Sequence, residues 1–171
     1  MCNCKHGINE YGSVMYPFHC WQGGKYKLKV QRCRENIELP VKTKGNAGID
    51  LRLYTEDRKE VTLQPKQIYK FYTGLKMDIA EGFYIEVSPR SSTGVKKHLK
   101  LVNTVAILDS SWKGETLIFM ENFGDTPVTI QDGERLCQMI IHQDIPAIVE
   151  EVSDVGTSER GENGFGSTGD M

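Results

Sequence analysis

Alanine is nearly absent, with four in 171 residues, and no segment carries apolar side chains at sustained helical spacing. Long amphipathic helices are therefore not expected. No apolar run approaches the roughly 20 residues that cross a bilayer as a helix, and the N-terminus lacks the basic-then-apolar order of a signal peptide. The chain thus reads as soluble, intracellular and cytoplasmic, in the host cytoplasm if its origin is viral. Strong charge of one sign is missing too: 21 Lys and Arg stand against 23 Asp and Glu, for a net charge of -2. No global field would draw the protein to nucleic acid or to an anionic membrane, so neither is expected as a partner. The cysteines, Cys2, Cys4, Cys20, Cys33 and Cys137, are odd in number. That suits reduced thiols better than a disulfide framework.

What is present points to strands. Glycine, at 17 residues, favours tight turns. Alternation appears at Leu28/Val30, Val61/Leu63, Tyr69/Phe71, Phe83/Ile85/Val87, Val128/Ile130 and Cys137/Met139/Ile141, with Gly, Pro, Asp or Asn breaks between. These are expected to be half-buried strands of one all-β domain. Leu117-Ile118-Phe119-Met120 is apolar on both faces, which predicts a strand covered on both sides, the outer one at a subunit interface. Three regions follow: an extension at 1–24, a β-domain at 25–149, and an arm with a tail at 150–171. Ten extended residues of that arm span up to roughly 35 Å, enough to carry the tail far from its own domain.

The extension holds Cys2, Cys4, His6, His19 and Cys20 beside Tyr11, Tyr16, Phe18 and Trp21. Four thiolates or imidazoles could close a zinc tetrahedron, but the C-x-C and H-C spacings differ from the usual C-x-x-C pair. Packing on the domain through the aromatics is the preferred reading.

Five segments carry chemistry. Ala47-Gly48-Ile49-Asp50-Leu51 sets an acid between apolar neighbours, where the glycine leaves room for another backbone. Ser88-Pro89-Arg90-Ser91-Ser92-Thr93-Gly94 ends a strand in a polar turn offering a guanidinium, hydroxyls and amides, all suited to phosphate. No His or Asp is placed by sequence to activate Ser91 or Ser92 as a nucleophile, which argues against a serine hydrolase. From Asn103 to Glu115 the pattern reads as two strands joined at a tip bearing Asp109 and Trp112. Gly133-Glu134-Arg135-Leu136-Cys137-Gln138 opens a strand with Gln138 opposite its apolar face. Last comes Arg160-Gly161-Glu162-Asn163-Gly164-Phe165-Gly166-Ser167-Thr168-Gly169, whose glycine amides and Arg160 suit phosphates while Phe165 can stack on a base.

In this order the five segments resemble the five motifs of the trimeric dUTP pyrophosphatases (dUTPases), over about residues 25–169. The resemblance implies a jelly-roll β-barrel of the β-clip type and a homotrimer, with the C-terminal arm exchanged between subunits. It further implies hydrolysis of dUTP to dUMP and pyrophosphate, limiting uracil in DNA and supplying dUMP. Mg²⁺ would be held mainly by phosphates and water, with Asp50 supporting that water shell. Asp109 would orient and deprotonate the attacking water. Since a carboxylate is a feeble base at neutral pH, most of the rate would come from positioning and cationic donors. Arg90, Ser91, Ser92, Gly94 and Gln138 would hold phosphate oxygens, and Arg160, Gly166, Ser167 and Thr168 the γ-phosphate. Asn103 with the backbone near Val105 and Leu108 would read uracil, Phe165 would cap it, and Trp112 would pack on the deoxyribose where the family usually has Tyr.

Ala106 and Ser111 also depart from the common pattern, at positions where Gly and a second acid are usual. The dCTP deaminases share the fold and often carry Trp at this tip. Their catalytic Glu and Arg would correspond to Phe119 and Val95, neither of which can transfer a proton. A third reading, a dUTPase that also grips a regulatory protein partner, would use the aromatics of residues 1–24.

Overall fold

The computed structural model describes residues 26–159 and 161, together with the backbone of 7–8 and 14–15. The tail residues Arg160 and Phe165 to Thr168, and the cysteine and histidine set of the extension, lie outside the described residues. Within the extension, β1 (Gly7–Ile8) and β2 (Val14–Met15) form a short antiparallel ladder.

Two four-stranded sheets make the body. One contains β3 (Lys29–Arg32), β6 (Ile68–Asp78), β10 (Glu115–Asn122) and β8 (Leu99–Leu101), in that order. The other contains β4 (Ile49–Leu53), β12 (Glu134–Gln143), β7 (Phe83–Pro89) and β9 (Ala106–Leu108). A two-stranded ladder of β5 (Val61–Leu63) with β11 (Val128–Ile130) completes the jelly roll. All six alternating segments of the sequence belong to or adjoin strands here. Their inward side chains meet in one core, with Leu51, Leu53, Ile85, Val87, Cys137 and Met139 from one sheet and Phe71, Leu75, Leu99, Ile118 and Met120 from the other. Burying a side chain of this size contributes about 1.5–3 kcal/mol, so the alternation is what drives pairing.

Strand β6 departs from alternation. Phe71 to Leu75 are all buried, and Gly74 sits at φ +68° where a Cβ would lie 2.5 Å from Ile37. Only glycine admits that approach. The irregularity faces another in β10, where the register shifts between Glu115 and Leu117. Two polar groups inside the double distortion find partners, while the buried Thr116 hydroxyl has none: Thr73 Oγ1 donates to the Thr116 carbonyl at 2.8 Å, and the Gly74 amide donates to Glu115 Oε1 at 2.9 Å.

Two expectations are corrected. Ser91–Lys97 is a helix, α1, and not a polar turn. The segments either side of Asp109 do not form a hairpin: β9 pairs with β7, and β10 pairs with β6 and β8 in the other sheet. Within one chain β10 is covered on one face, and Leu117 and Phe119 on the other face, the one expected at a subunit interface, are 40% and 45% exposed. The last backbone hydrogen bond to the β-domain among the described residues runs from the Asp144 amide to the Gly82 carbonyl, and Ile145, Ile148, Val149, Val152 and Val155 beyond it are all exposed.

Burial of Cys137 between the sheets pushes its thiol up to about 12, far above its ordinary value of 9.0. The neutral thiol is therefore inert in the folded protein. Replacing Cys137 by Ala is expected to leave the number of thiols labelled at pH 8 in native buffer unchanged and to lower the number labelled in denaturant by one. The raised value also adds stability that is present below about pH 9 and lost as pH climbs towards 12. Denaturant midpoints should consequently fall less between pH 8 and pH 11 in Cys137→Ala than in the parent.

Candidate active site

Antiparallel register lines up three of the five segments. On β12, Gln138 is opposite Asp50 of β4 on one side and Ser88 of β7 on the other. Each has at least one buried neighbour in its strand, Leu51, Val87, and Cys137 with Met139, so they share the outer face of the sheet. Gly48 lies beneath the Gln138 amide, where a Cβ would stand 2.3 Å from Oε1. The space left by this glycine is taken by a side chain, not by another backbone as the sequence suggested.

A bulge then turns the row into a pocket of charge. The register of β12 against β4 shifts between Arg135 and Cys137, leaving Leu136 as the extra residue. Its carbonyl accepts both the Arg90 amide, at 2.9 Å, and Thr93 Oγ1, at 2.7 Å. Thr93 is buried, and this anchor sets the start of α1. Arg90 thereby reaches Asp50, with Nε 3.0 Å from Oδ1, while Arg135 Nη1 lies 3.3 Å from Oδ2. Arg90 also donates from Nη1 to the Arg135 carbonyl at 3.1 Å. Two guanidiniums therefore share one carboxylate, for a local excess of one positive charge. Beside them a cleft of about 200 Å³ is lined by Asn46, Gly48, Asp50, Arg52 and Arg135, among others. Ser91 and Ser92 are exposed at the start of α1, and Gly94 faces open space. Sequence reasoning assigned no role to Arg135 or Ser88, yet both stand in this cluster. The period-two spacing of Ser88 and Arg90, matched against Gln138, was the available signal for Ser88.

Asp109 is elsewhere. Leu108 pairs with Ile85, so Asp109 comes alongside Tyr84, and at roughly 3.3 Å per residue the chain from Tyr84 to Arg90 spans about 20 Å. It is exposed in a cleft with Phe83, Tyr84, Ile107, Ser110 and Asp144, and its carboxylate has no hydrogen bond or ion pair among the described residues. Trp112 donates its amide to the Asp109 carbonyl at 3.1 Å, closing a turn, and its indole lies over Gly114. Asn103 is exposed, while Val105 and Leu108 are half-buried. One chain thus separates the anion-suited cluster from the acid. No three His, Cys, Asp or Glu side chains converge on a metal position among the described residues, so that part of the chain supplies no cage for Mg²⁺.

A jelly roll with paired guanidiniums, a half-buried amide and a hydroxyl on one sheet face, and further hydroxyls at the start of α1, defines a class suited to binding phosphorylated ligands. The family model described as dUTPase matches residues 35–169. The deoxyuridine 5'-triphosphate nucleotidohydrolase of Tolumonas auensis is 38% identical over 147 residues, covering 84% of this chain and 96% of that one. The chain belongs to the dUTPase family. Among solved structures, the Staphylococcus bacteriophage 80alpha dUTPase with dUPNHPP matches at a TM-score of 0.74 and 24% identity, over 85% of this chain and 99% of that one. Phage dUTPases of that kind are described as controlling transfer of virulence genes by a proto-oncogenic G protein-like mechanism. The phage phi11 dUTPase of S. aureus, in which coordination of a structural Mg(II) ion is described, matches at 0.68 and 19%, over 77% and 100%.

The contact at Gly114 gives a direct check on the tip. A Cβ there would lie 2.3 Å from the Trp112 ring, so Gly114→Ala must displace the indole. In a Trp21→Phe background, which leaves Trp112 as the sole tryptophan, that change is expected to shift the emission maximum, and an unaltered spectrum would refute the stacking.

Proposed function

We propose that the protein hydrolyses dUTP to dUMP and pyrophosphate at sites shared between subunits of a homotrimer. The observation that carries this reading is the row of Asp50, Gln138 and Ser88 with Arg90 and Arg135 against it, a surface built for phosphate oxygens and incomplete without an acid. Asp109 lies too far along β7 to serve the cluster of its own chain, so a second copy would bring it there. The five exposed aliphatics between Ile145 and Val155 give the arm a reason to lie on a neighbour, delivering residues 160–168 to a third chain's site.

In that assembly Arg90, Ser91, Ser92, Gly94 and Gln138 bind α- and β-phosphate oxygens. Asp109 orients a water and accepts its proton as the water's oxygen bonds to the α-phosphorus in line with the departing pyrophosphate. Asn103, with the backbone at Val105 and Leu108, reads the polar edge of uracil, and Trp112 covers the deoxyribose. Arg160, Phe165, Gly166, Ser167 and Thr168 close over the nucleotide and exclude water. Mg²⁺ bound with the triphosphate would be held mainly by phosphate oxygens and water, and would supply charge neutralisation. The deaminase reading gains nothing, because Val95 and Phe119 are exposed apolar side chains where that chemistry needs a guanidinium and an acid.

Pyrophosphate release measured separately with dUTP, dCTP, dTTP and UTP in Mg²⁺ is expected to be selective for dUTP. Asp109→Asn should lower it by about a hundredfold or more while binding of a non-hydrolysable dUTP analogue persists. Equal turnover of UTP would show that Trp112 does not guard the sugar. Ending the chain before Arg160 should leave the fold and part of the nucleotide affinity in place while hydrolysis collapses, and full activity there would remove the tail from the mechanism.

A further inference from the structure

We infer that Asp50 is a positioning residue that holds the guanidiniums of Arg90 and Arg135 together as one anion-binding fork. The inference rests on the dUTPase reading for its substrate, but its geometry stands apart from it. Both carboxylate oxygens are engaged, Oδ1 by Arg90 Nε at 3.0 Å and Oδ2 by Arg135 Nη1 at 3.3 Å. One lone pair on each oxygen is thereby taken by a guanidinium.

The arrangement also needs an anion for its own integrity. Two guanidiniums this close repel one another, and with their side chains 33% and 54% exposed they keep enough freedom to swing apart. Asp50 offsets that repulsion from a rigid place, on β4 opposite Gln138. Arg90 is tied a second time, through Nη1 to the Arg135 carbonyl. Two of its five N–H donors are thus spent on orientation, and the remaining edge is left for a phosphate. A carboxylate beside an anion site would ordinarily weaken it, so its presence is better explained by what it does to the cations.

Charge and orientation predict opposite results on removing Asp50, which makes the test sharp. Asp50→Asn and the parent are compared for binding of the α,β-imido analogue of dUTP in EDTA. The fork predicts about tenfold weaker binding already in EDTA, before any metal is present. Equal affinity in EDTA would show that Asp50 does not orient the arginines for an anion, and tighter binding would mean its charge alone matters; either overturns the inference. A ligand-free readout comes from arginine side-chain ¹⁵N spectra. The Arg90 Nε–H signal, identified by its loss in Arg90→Lys, should be protected from solvent exchange in the parent and lose that protection in Asp50→Asn. Persistence of the protection sinks the fork whatever the substrate proves to be. A parent protein that binds the analogue yet releases no pyrophosphate from dUTP would instead count against the activity and leave the fork standing.

Discussion

The register of β12 is the constraint on which the rest depends. Flanked by β4 and β7, this strand turns Cys137 and Met139 into the core and leaves Gln138 outside, directly between Asp50 and Ser88. Side chains alternate with a period of two, so a slip of one residue would push Gln138 inward and expose the apolar pair. The hydrophobic cost of that error keeps polar groups from three distant stretches of chain in one row. Core packing and site geometry are thus one problem solved once. The bulge at Leu136 extends the solution, because the carbonyl it frees anchors Arg90 and Thr93 and so aims α1 at the same row.

Electrostatics at the row is arranged for an anion. One carboxylate between two guanidiniums leaves a positive excess in a partly sheltered position, where screening is weaker than at a fully exposed pair. Nearby, Arg52 is held away from the row by Glu38 at 2.9 Å and by the Gly133 carbonyl at 2.9 Å, so it serves the scaffold. Asp109 lies at the far end of the same sheet, separated by the length of β7. In the proposed trimer a second copy would present Asp109 to this row, and the exposed aliphatics of the arm and of β10 around Leu117 and Phe119 are surfaces that such an association would cover.

Alternation made the strands legible, since burying one face of a strand writes period two directly into the sequence. Pairing partners were less legible. Asp109 to Gly114 has the small and polar residues of a hairpin tip, yet it connects two sheets, because β9 finds its hydrogen bonds on β7 and β10 finds its own on β6 and β8. Local turn chemistry does not specify which edge a strand will join. The helix Ser91–Lys97 was hidden for another reason: it is seven residues long, contains Gly94 and buries little besides Thr93, so no apolar stripe announces it. Its order comes from the Leu136 carbonyl, a tertiary contact.

By itself, the sequence determined the all-β class, the places of the main strands and the residue types of the five motifs, because each of these is written in local periodicity or in side-chain chemistry. Tertiary structure alone decided that Gly48 makes room for Gln138, that Arg135 and Ser88 join the cluster, and that Asp50 is shared by two arginines. It also decided that Asp109 stands about 20 Å along the strand from Arg90. These facts depend on strand order, register and a one-residue bulge, which arise from the packing of segments far apart in the chain.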